Sequence, residues 1–259
     1  MFFLDRAGRT LAGFLTRPRH TPLGISTSPP NALIAALRPG DVLLIEGDTR
    51  VSVAIKYLTQ SSWSHATLCV AKPADHTTGA TGANILLEAD VNNGVRLVPL
   101  EMYAGLHTRI CRAVGLSTDE IARVIEFATA RVGSQYDVKH FWDLARYLIP
   151  TPPVPSRWRR RLLAFGSGDP TRAICSTLIA NAFHSVSYPI LPEIVMTGHD
   201  SVAAEHAFAE MRHIQEHGLY VPRDFDVSPY FQIVKPTLEL GFDPHHRQPT
   251  TGLPATGEA

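Results

Sequence analysis

Apolar and polar positions vary in short segments along the central part of the chain, with helical spacing in some segments and strand spacing in others. Apolar residues that recur every three or four positions predict helices, whereas alternation or a short apolar run predicts strands. The segments that predict helices are 31–40, 51–60, 117–133, 138–148, 169–186 and 201–218. The segments that predict strands are 41–47, 64–71, 83–91, 94–100, 107–114 and 228–236.

Capping and turn residues mark the ends of several of these segments. Ser117 followed by Glu120 is a capping box that starts a helix, and Gly133 is expected to end that helix. The run Asn-Asn-Gly at 92–94 predicts a tight turn between two of the strands. Because strands joined by short turns pair antiparallel, the sequence predicts an antiparallel sheet packed against helices, which is the α+β class.

The chain divides into one domain with an addition at each end. Residues 1–30 are interpreted as an N-terminal extension and linker, rich in Pro, Ser and Thr from residue 19 onward. Residues 31–240 form the predicted domain, which contains an insert at about 149–170. Residues 241–259 are polar and rich in Pro and Gly, a composition typical of a disordered tail.

Length, charge and hydropathy exclude several classes of function. The chain has 259 residues, of which 44% are hydrophobic, enough for one sizeable core. Its formal net charge of zero gives no reason to expect nucleic acid as a partner. No apolar run reaches the roughly 20 residues of a membrane span, and charged residues interrupt the apolar start of the chain, unlike a secretory signal. We therefore expect a cytoplasmic protein.

The three cysteines differ in their sequence surroundings. They show neither CxxC nor framework spacing, so we expect no disulfide scaffold, no metal site and no cofactor. Cys69 and Cys111 lie among apolar neighbours and are interpreted as core residues. Cys175 lies at or near the start of an apolar helix, where free backbone N–H groups and the helix dipole stabilise a thiolate. If the helix instead began at Asp169 and Pro170, Cys175 would lie in its second turn and lose much of this effect.

A nucleophilic cysteine requires a base, and His65 is the candidate among twelve histidines. It follows Ser-Trp-Ser and begins a predicted strand. The next strand carries Glu88 and Asp90 on a common face of an otherwise apolar run, where an unpaired carboxylate would be costly. One of them could orient the His65 ring if the two strands pair. The alternative is a surface histidine at a strand end, with both carboxylates leaving the sheet into the turn.

Two further clusters of side chains have both a functional and an ordinary structural interpretation. His206, His213 and His217 fall near one face of a predicted helix, but HExxH is absent and such faces are usually solvated. The segment Arg157–Phe165 interleaves arginines with apolar residues, so it is a candidate for peripheral contact with anionic lipid. An ordinary helix with solvated or paired arginines is the alternative interpretation.

From Arg38 to Val234 the sequence resembles the circularly permuted NlpC-type papain-like cysteine hydrolases of the YiiX/YebB-like group, to which the lecithin retinol acyltransferase family is related. The histidine precedes the cysteine in this chain, as the permuted group requires. The segments that carry the resemblance are RPGDVLLIEG, AIKYLTQSSWSHATLCV, LLEADVNNGVRLVPLEMY, RVGSQYD, AICSTLIANAF and VPRDFDVSPYFQIV.

The resemblance implies a permuted papain-like fold and assigns a role to each candidate residue. It implies that Cys175 is the nucleophile, His65 its base, Glu88 the third polar residue, and Tyr136 a group that lines the site beside the thiol. It also favours a helix that starts close to Cys175. The N-terminal extension, the insert and the C-terminal tail depart from the simplest family pattern.

The function expected from this resemblance is cleavage of an amide or ester through an acyl-enzyme on Cys175. Peptidoglycan-type or other amides are the expected substrates. The insert and the acyltransferase relatives leave a lipid-directed acyl hydrolase or acyltransferase as the first alternative. A catalytically inactive papain-like binding module is the second, and it predicts that Cys175, His65 and Glu88 are not within mutual reach.

Overall fold

The computed structural model describes residues 28–71, 84–90, 93–103, 105–134, 174–192 and 220–243. The predicted helices at 138–148 and 201–218 lie outside the described residues, as do most of the N-terminal extension, the insert and most of the C-terminal tail.

The described residues are built around one antiparallel sheet of six strands. The spatial order is β4-β3-β2-β1-β5-β6, and every neighbouring pair is antiparallel. All six strands occur where the sequence predicts them. They are β1 (Val42–Glu46), β2 (His65–Cys69), β3 (Asn84–Asp90), β4 (Gly94–Pro99), β5 (His107–Ala113) and β6 (Phe231–Val234).

Helices lie on both faces and at the edges of this sheet. The described helices are α1 (Pro30–Ala36), α2 (Arg50–Thr59), α3 (Thr118–Thr129), α4 (Ile174–His184), α5 (Pro222–Val227) and α6 (Pro236–Glu239), together with a 3-10 helix at Leu100–Tyr103. The sequence did not predict α5, α6 or the 3-10 helix, because each is too short to show a helical period. The antiparallel sheet with its helices confirms the predicted α+β class.

The capping box predicted for α3 is present, but the predicted end of that helix is wrong. The Ser117 side chain accepts from the Glu120 backbone N–H, and the Glu120 side chain accepts from the Ser117 backbone N–H. The helix ends at Thr129 rather than at Gly133. Gly133 instead has a positive φ of 87° and donates its backbone N–H to the Val95 carbonyl, which ties the turn after α3 to β4.

Apolar residues cover both faces of the sheet and form two cores. The four residues Val42–Ile45 of β1 are all fully buried, as expected for a central strand with apolar layers on each side. The core on the α4 side includes Leu44, Leu68 and Phe183. The core on the other side includes Leu43, Leu86, Ile110 and the 3-10 helix. The sheet is therefore held as the middle layer of three.

The pairing between β2 and β3 is short, and this positions the candidate residues. The two strands pair only at Leu68 with Leu87 and at Cys69 with Leu86. The first residues of β2 therefore lie outside the ladder that joins it to β3. Helix α4 packs against both strands. The described start of α4 lies against the first residues of β2, because Cys175 is beside His65 and the Ala66 backbone.

Among the described residues, no helix is both long and apolar enough to cross a bilayer.

Candidate functional site

His65 is held at the first position of β2 by the strand itself and by the residues before it. The Ser64 backbone N–H donates to the Ile45 carbonyl at 3.1 Å, and the Ser64 hydroxyl accepts from the Gly47 backbone N–H at 2.9 Å. The His65 side chain is 23% exposed to solvent. Its backbone is therefore fixed while its ring reaches a partly accessible position.

The chain that enters β2 is also anchored from the far end of the sequence. The indole N–H of Trp63 donates to Asp226 of α5 at 2.9 Å, and Arg109 of β5 contacts the same carboxylate at 2.6 Å. The Arg109 guanidinium lies 4.9 Å from the centre of the Trp63 ring. These contacts fix the residues immediately before His65 against β5 and α5.

Glu88 accepts hydrogen bonds from three side chains at once. Its side chain is only 4% exposed. Oε2 lies 2.9 Å from Nε2 of His65 and also accepts from the Tyr103 hydroxyl. Oε1 contacts two nitrogens of Arg96, Nε at 2.8 Å and Nη2 at 2.7 Å. Burial alone would raise the pKa of this carboxyl, but the contacts with His65, Tyr103 and Arg96 lower it to about 2. Glu88 is therefore a carboxylate at neutral pH.

Cys175 lies in the first described turn of α4, buried at 6% exposure against β2. Its sulfur is within hydrogen-bonding and electrostatic reach of His65 and of the Ala66 backbone N–H, and it lies 3.8 Å from the Ser176 hydroxyl. Burial would raise the pKa of the thiol, but the charge and hydrogen bond of His65, together with hydrogen bonds from the Ala66 backbone and Ser176, lower the pKa below its ordinary value.

The ionisation of His65 follows from its two partners. Burial would lower the pKa of the imidazole, but the Cys175 sulfur and then the Glu88 carboxylate raise it to about 10. Because Nε2 is engaged by Glu88, Nδ1 is the ring nitrogen that remains for the sulfur. The lowered pKa of Cys175 and the raised pKa of His65 both move the pair toward thiolate and imidazolium, with the Glu88 carboxylate behind the ring.

The other two thiols lie in different surroundings, as the sequence predicts. Both are free and fully buried. Burial and the negative charge of Asp41 raise the pKa of Cys69 to about 12, and burial also raises the pKa of Cys111. Neither thiol is therefore ionised at neutral pH, which separates them from Cys175.

The structure brings together three of the four predicted site residues. His65 contacts both Cys175 and Glu88, and Glu88 rather than Asp90 is the carboxylate beside the histidine. Tyr136 lies outside the described residues, so its role stays a prediction. His206, His213, His217 and Arg157–Phe165 also lie outside them. Among the described residues, no group of three or more histidine, cysteine or acidic side chains is arranged to hold a metal ion.

The sequence did not predict the contacts of Arg96 and Tyr103 with Glu88. A signal for Arg96 was present, because a tight turn that pairs Asp90 with Gly94 places Arg96 directly opposite Glu88. Tyr103 carries no comparable signal. It reaches the carboxylate because the 3-10 helix after β4 turns back under the sheet.

Comparisons with known proteins give a family match and several similar solved structures. Residues 36–148 match the model of a family described as permuted papain-like amidase enzymes, YaeF/YiiX, C92 family. No curated protein matches the chain. A crystal structure described as the metalloprotein yiiX from Escherichia coli O157:H7 is similar at 15% identity and a TM-score of 0.44, over 77% of this chain and 97% of that one.

The matched region contains His65, Glu88, Arg96 and Tyr103, whereas Cys175 lies beyond its end. The family is one of papain-like amidases, which supports amidase-type or peptidase-type chemistry in general. The match confirms that this chain is similar to the YiiX-like group of permuted papain-like proteins.

Proposed function

We propose that this chain is a cysteine hydrolase that cleaves an amide through an acyl-enzyme on Cys175. The observation that carries the proposal is the contact series Cys175–His65–Glu88, in which the thiol has a lowered pKa and the carboxylate lies 2.9 Å from His65 Nε2. A nucleophile beside a base that is oriented by a third group is the arrangement that thiol acyl chemistry requires.

In the proposed reaction the Cys175 thiolate attacks the substrate carbonyl and forms an Sγ–C bond. The backbone N–H of Cys175, with Tyr136, would hold the oxyanion. The C–N bond then breaks as His65 gives its proton to the leaving amine. Water attacks the thioester, His65 takes one proton from it, and the Sγ–C bond breaks to release the acid. Glu88 keeps the imidazolium oriented through both steps and is not itself protonated.

We propose amides of the peptidoglycan or peptide type as substrates ahead of acyl lipids, because the matched family is described as amidases. The binding-module alternative predicted that the three site residues would lie apart, and the contacts of His65 with both Cys175 and Glu88 argue against it.

The first prediction is that an activated amide or ester acylates Cys175 selectively. Native protein is incubated with the probe, digested, and the cysteine peptides are compared by mass spectrometry. We expect an adduct on Cys175 and none on Cys69 or Cys111, because only Cys175 has a lowered pKa. His65→Ala should reduce the adduct by at least about a hundredfold, the scale of general-base catalysis.

The two core cysteines supply an internal control for this experiment. After denaturation all three thiols should react at similar rates, because the differences in pKa depend on the fold.

Muropeptides and a lipid extract are then compared as substrates for wild type and Cys175→Ala. If no probe forms an adduct on Cys175 in protein that is shown to be folded, the proposal is wrong.

A further inference from the structure

We propose that Tyr103 is a positioning residue for the cysteine site, which holds Oε2 of Glu88 toward His65 against the competing pull of Arg96. The inference rests on the proposed function, because it assigns Tyr103 a role in keeping the base of that reaction charged and aligned.

Tyr103 lies beside both the Glu88 carboxylate and the His65 ring. Its hydroxyl donates to Oε2 of Glu88, the same oxygen that lies 2.9 Å from His65 Nε2. Its ring centre lies 6.0 Å from that of His65, at an interplanar angle of 44°. Tyr103 and Glu88 are both buried. Burial and the neighbouring carboxylate raise the pKa of the phenol, so it remains a donor throughout the neutral range.

Arg96 explains why Glu88 needs a second restraint. A guanidinium presents its N–H groups as a planar fork that can take both oxygens of a carboxylate. In this structure Nε and Nη2 of Arg96 both lie within 2.8 Å of one oxygen of Glu88, Oε1. Rotation of the carboxylate onto the fork would draw Oε2 away from His65. The hydrogen bond from Tyr103 opposes that rotation, so loss of the hydroxyl should lower the affinity of His65 for its proton.

The test is an NMR titration of the His65 ring in four forms of the full chain, its signal assigned by its absence in His65→Ala. The forms are wild type, Tyr103→Phe, Glu88→Gln and the double variant Tyr103→Phe/Glu88→Gln. We expect Tyr103→Phe to lower the His65 midpoint by about one pH unit, the scale of a hydrogen bond to a charged group. In the Glu88→Gln background the same change should shift it by less than about 0.3 unit, because Tyr103 acts only through Glu88.

Tyr188→Phe is the matched control, since its hydroxyl bonds the Val114 and Tyr230 carbonyls away from the site. It should leave the His65 midpoint unchanged. An unchanged midpoint in Tyr103→Phe, or an equal shift in both backgrounds, would overturn the inference.

If Tyr103→Phe does not fold, Arg96→Gln tests the same geometry. Removal of the competing cation should leave the midpoint unchanged or raise it, and a fall would overturn the inference.

This outcome is separable from that of the proposed function. The titration reports the contact between Tyr103, Glu88 and His65 without any substrate. The acylation experiment reports the reactivity of Cys175. A normal titration response with no acylation would refute the hydrolase alone, and acylation with an unresponsive His65 midpoint would refute only the role of Tyr103.

Discussion

At the scale of single residues, four ionisable groups of the site follow one another in contact: the Cys175 thiol, the His65 imidazole, the Glu88 carboxylate and the Arg96 guanidinium. In the thiolate–imidazolium form, toward which the pKa shifts of Cys175 and His65 move the pair, their charges alternate. A buried charge is costly unless it is paired, and each interior member of this series has a partner on both sides. The ionised states that acyl chemistry requires are therefore also those in which the buried groups are best satisfied.

Glu88 should make the stability of the protein depend on acid pH. Its pKa is about 2 in the fold against an ordinary 4.5, so its stabilising contribution is present above pH 4.5 and is lost as pH falls toward 2. Chemical denaturation at several pH values in this window measures the free energy of unfolding. Acid should lower this free energy by roughly 3 kcal/mol less in Glu88→Gln than in wild type.

Exposed Glu126 on α3 gives the control for that series. Glu126→Gln should follow the wild-type dependence on pH closely. If Glu88→Gln lost as much stability as wild type between pH 4.5 and 2, the carboxylate would not be held in the ionised state that the site requires.

At the scale of elements, two groups of contacts hold the sheet and its helices in place. Trp63 and Asp226 join the chain before β2 to α5 near the site. In the second group, Arg112 of β5 forms a bidentate salt bridge with buried Asp41 at 2.8 Å. It also donates to the Ala36 carbonyl at the end of α1. The second group ties α1 to the central strands and lies apart from the candidate site.

Arg112→Ala should therefore destabilise the fold without altering the chemistry of Cys175. Its removal leaves the Asp41 carboxylate buried without its main cation, a change that typically costs about 3–5 kcal/mol. Denaturant unfolding at neutral pH measures the cost. Arg38→Ala is the control, because Arg38 forms an exposed pair with Glu239 that is worth about 1 kcal/mol or less. Equal effects of the two changes would contradict the structural role given to Asp41 and Arg112.

At the scale of the whole molecule, local sequence predicts much of the sheet and only part of the site. Alternation of apolar residues and short apolar runs predict all six strands, and the carboxylate on β3 could be expected near His65 on the neighbouring strand. The approach of Cys175 to His65 depends on how α4 packs against β2 and β3, which no local pattern encodes. The family resemblance supplied that pairing. Tyr103 and Asp226 escaped prediction because short helices place them.

We expect His65 to hold Cys175 as a thiolate at neutral pH, because it lowers the pKa of the thiol, and the ultraviolet absorbance of the thiolate reports that ionisation. Wild type and Cys175→Ser are titrated side by side, and their difference isolates one sulfur from the two core thiols. We expect a thiolate signal at neutral pH that decreases in acid and is lost when His65 is replaced by alanine. A signal that arises only near the ordinary thiol pKa of 9.0, and that is unaffected by the loss of His65, would contradict it.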